Sequence, residues 1–427
     1  MVVKDILILG AGPCGLATAI SLAKANSAPS DNVQPLRITL VELRSSLQTI
    51  GGAVNMTPLA MRYLSSLGAE DKLLDHSISL DHGIDYISLR TGQLLGNFWG
   101  GIGARRVSRH ALVEALLEVL QKEHSAAVKI QWGRRVTEIC ETADKVELKF
   151  QDDGPTLQGD ILLGCDGLHS AARRLWVEPE REKVYSGRVV TMGWSYADDE
   201  GDSNLPQSMT LSTGEPALVD TSLFSGPSGV ILTSYYEPRR RDIYLSCVMS
   251  RDEPDIADQN AWKMLGDDKE NMRNEILKLY QGTKVKGLDT MISKCESWDL
   301  FPIYILPKEG RWHKGRVLLL GDAAHAMPPQ GESTEFAIED GLLIAKVLER
   351  RASRPVDQLF ADYESVRKPV ITKHYEHAVW SMDMGFKKRE GMGLVIMEWV
   401  TWVFLLFRRW GQKARYSGDI RETILPE

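Results

Sequence analysis

Cysteine is scarce in this chain. Its 427 residues hold five, at positions 14, 140, 165, 247 and 295, and no two stand as a C-x-x-C pair. That usage excludes a disulfide framework or a zinc ribbon as the source of stability and suits a reducing compartment. Positive charge is not in surplus either. Fifty-one Lys and Arg face 58 Asp and Glu, for a formal net charge of -7. No nucleic-acid partner is expected, because neutralising phosphates takes an excess of cations. No apolar run reaches the ~20 residues that a membrane span needs. The opening MVVKDILILGAG enters a glycine-rich turn at once. It leaves no room for a signal peptide, and a cytoplasmic protein is expected. Repeats and low-complexity tracts are missing too. What is present is ordinary: 43% hydrophobic and 26% charged residues. That composition excludes disordered, collagen-like and multi-span membrane chains. The length suggests two or three domains and a core large enough to need no covalent staple.

Hydrophobic patterning gives the organisation. Residues 3–10 form an apolar run that reads as a buried parallel strand. Leu16, Ala19, Ile20 and Ala23 recur at helical spacing over 13–25. A second β-type run covers 36–43, after a polar loop over 27–35. Together these make one βαβ unit. Ser108 is a candidate cap for a helix over 109–123. Further strands are expected over 126–150 and 160–164. From 184 to 250, short β-rich runs alternate with Gly, Pro and charged turns, which predicts an antiparallel sheet and a second domain. Residues 258–281 read as one amphipathic helix. The buried-strand style returns at 316–325, a helix follows over 334–350, and the tail beyond 360 is mostly helical.

The first motif is Gly10-Ala-Gly12-Pro-Cys-Gly15, a G-x-G-x-x-G between a buried strand and a helix. Gly10 makes the tight turn, Gly12 lets a pyrophosphate approach the backbone, and Gly15 allows close helix–strand packing. The helix N-terminus supplies N–H donors and a positive dipole end. Glu42 closes the second strand, where an acidic residue binds a ribose hydroxyl pair; the 26–35 loop explains its late position. NAD and FAD enzymes share this turn.

Two further motifs separate them. Residues 162–173 contain Gly164-Cys-Asp166-Gly167-Leu-His-Ser170 with Arg173 after it. Residues 315–340 contain Gly321-Asp322-Ala-Ala-His325 followed by Pro328. In order and spacing, over roughly residues 3 to 345, the chain resembles the class A flavoprotein monooxygenases, the p-hydroxybenzoate hydroxylase-like family. Gly51-Gly52 lies where that family has a Gly-Ala-Gly segment, and Arg109 lies in its R-x-x-L helix start. The resemblance implies FAD as cofactor and NADPH or NADH as co-substrate. It implies a Rossmann-like α/β FAD-binding domain, with an inserted antiparallel-sheet substrate domain and C-terminal helices. The expected FAD domain is 1–80, 101–183 and 291–360, the substrate domain 81–100 and 184–290, and the helical region 361–427. Gly10, Gly12, Gly15, Glu42, Arg44, Gly52, Arg109, Asp166, Asp322 and Gly331 are the implied cofactor-binding set, with Asp322 on the ribityl chain and Arg109 near the pyrophosphate. Asp166 reads more as a structural turn, and His325 as structural. No metal-ligand spacing occurs, and no metal is expected.

In the family's cycle NAD(P)H reduces FAD, O2 adds at flavin C4a, and the hydroperoxide passes one oxygen to an electron-rich, typically aromatic or secondary-metabolite-type substrate. The flavin-edge loop carries the candidates for catalysis: Pro328, Gly331, Ser333 and Glu335. Here the family's G-Q-G-x-N reads Gly331-Glu332-Ser333-Thr334-Glu335. A carboxylate at 335 opposes an anionic reduced flavin, turns away, or faces substrate. Ala53 replaces the last glycine of the Gly-Ala-Gly segment. An arginine common on the first substrate-domain strand is displaced to Arg188, with Met192 near its usual place. Trp194, Tyr196, Tyr235 and Tyr236 are candidate pocket residues, or packing aromatics of the sheet. Gly193-Trp-Ser-Tyr-Ala departs from the W-x-W-x-I-P segment of flavin halogenases. The alternatives are a flavin oxidase or cyclase without oxygen transfer, and a non-catalytic flavin-binding scaffold. The apolar run 393–407, followed by Arg408 and Arg409, covers the active site, packs on the FAD domain, or gives a weak peripheral membrane contact through 393–410.

Overall fold

The computed structural model describes residues 2–26, 34–49, 51–152, 154–196, 208–227, 229–254, 261–387 and 391–427, with 408–413 as backbone only. Most of the expected loop over 27–35 therefore lies outside the described residues. A six-stranded sheet runs in the order His313–Lys314, Val317–Leu319, Ile161–Gly164, Asp5–Leu9, Arg37–Val41, Val128–Gln131. Its pairs are parallel except the first. The central strand reads as a continuous apolar run because both of its faces are covered. Helix Pro13–Ala25 is buried from Pro13 to Ala23, under helices Arg109–Glu123 and Ser333–Leu348. Its two buried hydroxyls are satisfied within the helix, Thr18 donating to the Cys14 carbonyl and Ser21 to that of Ala17, both at 2.7 Å. Ser108 does cap helix Arg109–Glu123, its Oγ accepting from the Ala111 N–H at 3.1 Å.

The second large sheet has seven strands, in the order Ser297–Ile305, Val184–Ser195, Ile243–Ser250, Gly229–Tyr235, Thr221–Gly226, Ile84–Ser88, Leu94–Phe98. It corrects the expected all-antiparallel pattern at one place. Thr221–Gly226 pairs in parallel with Ile84–Ser88, because that strand crosses over from the N-terminal half of the chain. The sheet also runs past the expected limit at 290, since Ser297–Ile305 pairs with Val184–Ser195. The two faces differ. Val189, Thr191, Gly193 and Ser195 are buried, whereas Val190, Met192 and Trp194 are half-buried. On the buried face Cys247 meets the Tyr280 hydroxyl at 3.0 Å, and helix Lys269–Leu279 adds Met272 and Ile276. The half-buried face is turned to the first sheet.

The single helix expected over 258–281 is two, Ala261–Asp267 and Lys269–Leu279; residues 258–260 lie outside the described residues. Asp268 makes the break. Its side chain accepts from the Asn271 N–H at 3.1 Å and caps the second helix, a role a short acidic side chain fills better than a mid-helix position. The small sheet Ala53–Met56, Arg105–Ser108, Ser77–Ser79 lies between the two large ones. Two long helices, Val356–Phe386 and Met392–Arg415, close the chain. The first packs on Ser333–Leu348 and the second along edge strand Leu94–Phe98.

Candidate active site

The glycine turn is shaped by what its side-chain positions would meet. At Gly10, with φ +104°, a Cβ would lie 2.6 Å from the Cys165 carbonyl oxygen, and at Gly15 it would overlap the Gly10 carbonyl. At Gly12 a Cβ would meet nothing within 4 Å. The outer two glycines are therefore closed by packing, and the middle one opens onto free space. No side chain caps helix Pro13–Ala25, so its first N–H groups face that space.

The space is a cleft of about 450 Å³. It is lined by Gly12, Glu42, Arg44, Gly51, Arg109 and His169, and it reaches Met192 and Phe301 on the half-buried face of the second sheet. Glu42 is held by two backbone donors, the Ala11 N–H at 2.7 Å and the Arg44 N–H at 2.9 Å. Those bonds fix the carboxylate and leave it lone pairs for a diol. The Arg44 guanidinium donates to the Gln48 carbonyl at 2.5 Å. Arg109 is exposed at the first turn of its helix, and its guanidinium makes no hydrogen bond among the described residues. An uncapped helix N-terminus, a bare backbone at Gly12 and an uncommitted guanidinium fit a dinucleotide pyrophosphate. At Gly52 a Cβ would overlap the Tyr244 ring, and Gly51 beside it lines the cleft. Asp166 accepts from the Ala171 N–H at 2.6 Å and the Ala172 N–H at 3.2 Å, which is a turn-forming role. Its other oxygen is buried without a partner, and burial pushes the carboxyl up.

Asp322 opens the short helix Asp322–His325. It is exposed and accepts no hydrogen bond among the described residues, as a ligand for a ribityl hydroxyl must be. Its position is set by Asp340. One Asp340 oxygen accepts from the Gly321 N–H at 2.6 Å and lies 2.7 Å from His325 Nε2; the other accepts from Arg367 Nε at 2.6 Å. Burial alone would raise Asp340, but Arg367 and His325 outweigh it and hold the carboxyl well below the usual carboxylate range. Arg367, fully buried, also pairs with Glu339 at 2.8 Å and donates to the Phe336 carbonyl at 3.0 Å.

Pro328 is buried and Gly331 takes φ +83°. Ser333 is exposed on the first turn of its helix. Both acidic departures of the loop are buried and bonded. Glu332 accepts from Arg415 Nη2 at 3.0 Å and from the Tyr416 hydroxyl at 3.2 Å. Glu335 accepts from the Thr57 hydroxyl, whose oxygen also caps helix Pro58–Leu67. Burial pushes the Glu335 carboxyl up to about 8, and the nearby Glu339 and Glu332 add to the push. The carboxyl is therefore mostly protonated near pH 7. Tyr63 ties the same helix to the C-terminus, donating to Glu339 at 3.0 Å and accepting from the Ile420 N–H at 3.0 Å.

Of the four aromatic candidates only Trp194 belongs to the cleft side. It lies in register with Tyr244, with ring centroids 5.7 Å apart. Tyr235 is buried one residue out of phase with that face, Tyr196 is half-exposed past the strand end, and Tyr236 follows its strand. None of the four lines the cleft. Arg188 is turned to Asp383, 3.6 Å away, and to the Phe386 ring. Arg367, Asp340, Arg415, Tyr416, Thr57 and Arg106 carry no motif, and the sequence offers no signal for them.

The family model described as an FAD binding domain matches residues 4–378. The chain is 27% identical over 392 residues to 3-hydroxybenzoate 6-hydroxylase of Klebsiella oxytoca, covering 89% of this chain and 87% of that protein. It is 28% identical over 385 residues to salicylate hydroxylase of Pseudomonas putida, covering 85% and 81%. Among solved structures it resembles Klebsiella pneumoniae HpxO complexed with FAD and uric acid, at a TM-score of 0.73 and 20% identity over 96% of both chains.

Proposed function

The chain belongs to the FAD binding domain family and is a class A FAD-dependent monooxygenase, and from that premise we propose that it hydroxylates an electron-rich aromatic ring lodged between the loop 328–335 and the sheet face that carries Met192 and Trp194. One observation carries the reading. The cleft is continuous from the glycine turn to Met192 and Phe301, so a ligand seated at Gly12 extends to the second sheet. The names of the two curated relatives, hydroxylases of benzoate-type rings, support an aromatic substrate.

FAD, when bound, accepts the hydride of NADPH or NADH and activates O2. The protein holds and shapes the site. Gly12 and the helix start receive the pyrophosphate, Arg109 adds a charge-assisted donor, and Glu42 takes a ribose diol. Asp322 holds the ribityl chain at the height Asp340 sets. Pro328 and Gly331 border the ring system. Burial keeps the proton on Glu335, against the hydrogen bond from Thr57, so that no second negative charge opposes a reduced, anionic ring. An oxidase or cyclase reading leaned on Ser333 and Glu335, and this neutral Glu335 removes half of that support.

The test is the visible spectrum of the purified protein, then anaerobic NADPH, then O2 with an aromatic substrate. Bound flavin that bleaches and returns with a hydroxylated product is expected. Peroxide formed with no oxygenated product from any aromatic acid or phenol would favour the oxidase, and no bound flavin with excess FAD would favour the scaffold.

All five cysteines are free thiols, which supports a cytoplasmic location. Among the described residues no helix is long and apolar enough to cross a membrane. Residues 393–410 act as a weak peripheral contact in this reading. Helix Met392–Arg415 is fastened to the sheet edge through Glu398, bonded to Ser88 and Arg90, while Trp399, Val403, Phe404 and Phe407 are all more than 40% exposed. Cosedimentation with anionic vesicles, lost in Trp399→Ser/Phe407→Ser, is the expected outcome.

A further inference from the structure

A second cavity, of about 240 Å³, lies behind the short helix Asp322–His325 and shares no lining residue with the cleft. Trp312, His325 and Tyr375 wall it, and helix Val356–Phe386 also supplies Lys368 and Thr372. Trp312 is 3% exposed and His325 5%, with their rings 5.2 Å apart. His325 Nε2 is taken by Asp340 at 2.7 Å. Its Nδ1 makes no hydrogen bond among the described residues, and neither does the Trp312 Nε1–H or the Thr372 hydroxyl. None of the three is sealed from water. Open polar edges on largely buried walls are completed by water or by a ligand.

The lining is cationic. Arg181, Lys308 and Lys368 stand against one carboxylate, Glu309. Arg181 is spent on the fold, donating to the Ala324 carbonyl at 3.0 Å and to that of Pro307 at 3.2 Å. The lysines keep capacity. Lys308 meets Glu376 at 2.7 Å and Lys368 meets Glu364, but an ammonium has three donors, and part-exposed pairs of this kind are weak. Lys368 Nζ stands 5.3 Å from the centre of the Trp312 ring, so charge and rings meet in one space. Asp340, ionised between Arg367 and His325, assigns the imidazole hydrogen to Nε2 and leaves Nδ1 an acceptor. The cavity thus offers several donors, one buried acceptor and aromatic walls.

We propose that this cavity is a second ligand site, for a small flat hydroxy acid. Its acid group meets Lys308, Lys368 and the Trp312 N–H, its hydroxyl donates to His325 Nδ1, and its body lies against Trp312 and Tyr375. The floor of the site is the back of the helix that opens with Asp322. The Ala323 carbonyl there accepts from Arg173 at 3.1 Å, and Asp340, which holds His325, also accepts from the Gly321 N–H at 2.6 Å. A ligand on His325 therefore braces the segment that carries Asp322, and occupancy strengthens the retention of FAD. Such coupling is reciprocal, so FAD tightens the ligand by the same factor. The effect on FAD rests on the role of Asp322 proposed above; the site itself does not.

The test uses the FAD-loaded enzyme labelled with fluorotryptophan, without NADPH, and 4-hydroxybenzenesulfonate as probe. Fluorine NMR identifies Trp312 by the loss of its signal in Trp312→Phe. The probe is expected to shift that signal saturably and to slow FAD loss on dilution at least threefold. Benzenesulfonate, which lacks the hydroxyl, and 4-hydroxybenzenesulfonamide, which lacks the charge, are each expected to bind at least fivefold more weakly. Thr372→Phe, which fills the cavity, is expected to abolish both effects while keeping bound flavin. If that variant does not fold, Lys368→Met stands in, with probe binding at least fivefold weaker. A Trp312 signal that does not move overturns the proposal, as does a shift that persists in full in Thr372→Phe or Lys368→Met. A shift confined to Trp132 and Trp194 also overturns it, placing the probe in the cleft instead. Equal binding of all three probes overturns the ligand class, and unchanged FAD loss with the Trp312 shift saturated overturns the brace on Asp322. A failure of the enzymatic reading is seen separately, as absence of bound flavin before any probe is added, and the Trp312 signal then still tests the cavity.

Discussion

At the glycine turn the cleft is shaped by backbone, with Gly15 pressed against the Gly10 carbonyl and Gly10 against that of Cys165. The loop 328–335 and the helix after it are held by side chains that arrive from far away: Thr57 on Glu335, Arg415 and Tyr416 on Glu332, Arg367 on Asp340. The first end tolerates no substitution at its closed glycines, which rest on backbone carbonyls. The second tolerates a changed consensus, Glu for Gln and Glu for Asn, because distant partners compensate. In the proposed cofactor site one end thus rests on backbone packing and the other on a long-range polar network.

Gly15→Val attacks the local end and should have the largest effect. Its side chain overlaps the Gly10 carbonyl, so little folded, flavin-bearing protein is expected by yield and visible absorbance. Gly12→Val is the sharper partner experiment. Its side chain enters free space, so the fold and Tm should persist while FAD affinity falls at least tenfold; an equal collapse of both variants would break the distinction between closed and open glycines.

Asp340→Asn strikes the network end. Removing one partner of a buried ion pair costs about 3–5 kcal/mol, so a Tm loss of roughly 3–6 °C is expected for a chain of this length. A loss within the error of the melt would mean that Arg367 finds its partner in Glu339 alone. Glu335→Gln is milder and depends on pH. The folded carboxyl titrates near 8, above its unfolded value, so the folded state binds the extra proton. That stabilisation is complete below about 4.5 and is lost as pH rises through about 8. The variant should therefore gain on the natural protein between pH 5 and 8.5, by on the order of 3 °C in Tm. A difference that does not change with pH would place the Glu335 titration elsewhere. The smallest effect is expected for Arg415→Met, a half-exposed pair worth about 1 kcal/mol or less: a Tm change of a few degrees at most, with slower flavin reduction by NADPH in stopped flow.

Legibility in the sequence follows the same division. Gly10, Gly12 and Gly15 are readable because the three fall within six neighbouring positions between a strand and a helix, though the Cys165 carbonyl that closes Gly10 is not, and Ser108 because a cap is three residues from its donor. Glu42 is readable as the acid at a strand end, though not its grip on Ala11 and Arg44. The contacts of Glu335 with Thr57 and of Glu332 with Arg415 span 278 and 83 residues. No periodicity or spacing encodes them. Arg106 is hidden for a related reason: in sequence it is one of several basic residues before a helix, and its burial against Asn55 and the Tyr244 ring exists only once two sheets come together. The break at Asp268 was missed because amphipathic spacing continues across a cap.

The ties from Arg415, Tyr416 and Ile420 back to Glu332 and Tyr63 have a consequence for how the protein is made. Synthesis runs from the N-terminus at roughly 5–20 residues per second. The glycine turn therefore leaves the ribosome about tens of seconds before the residues that brace the opposite end of the cleft. A nascent chain has the glycine turn while the loop 328–335 still waits for residues 415–420, so in the proposed site firm retention of the flavin ring cannot precede their synthesis.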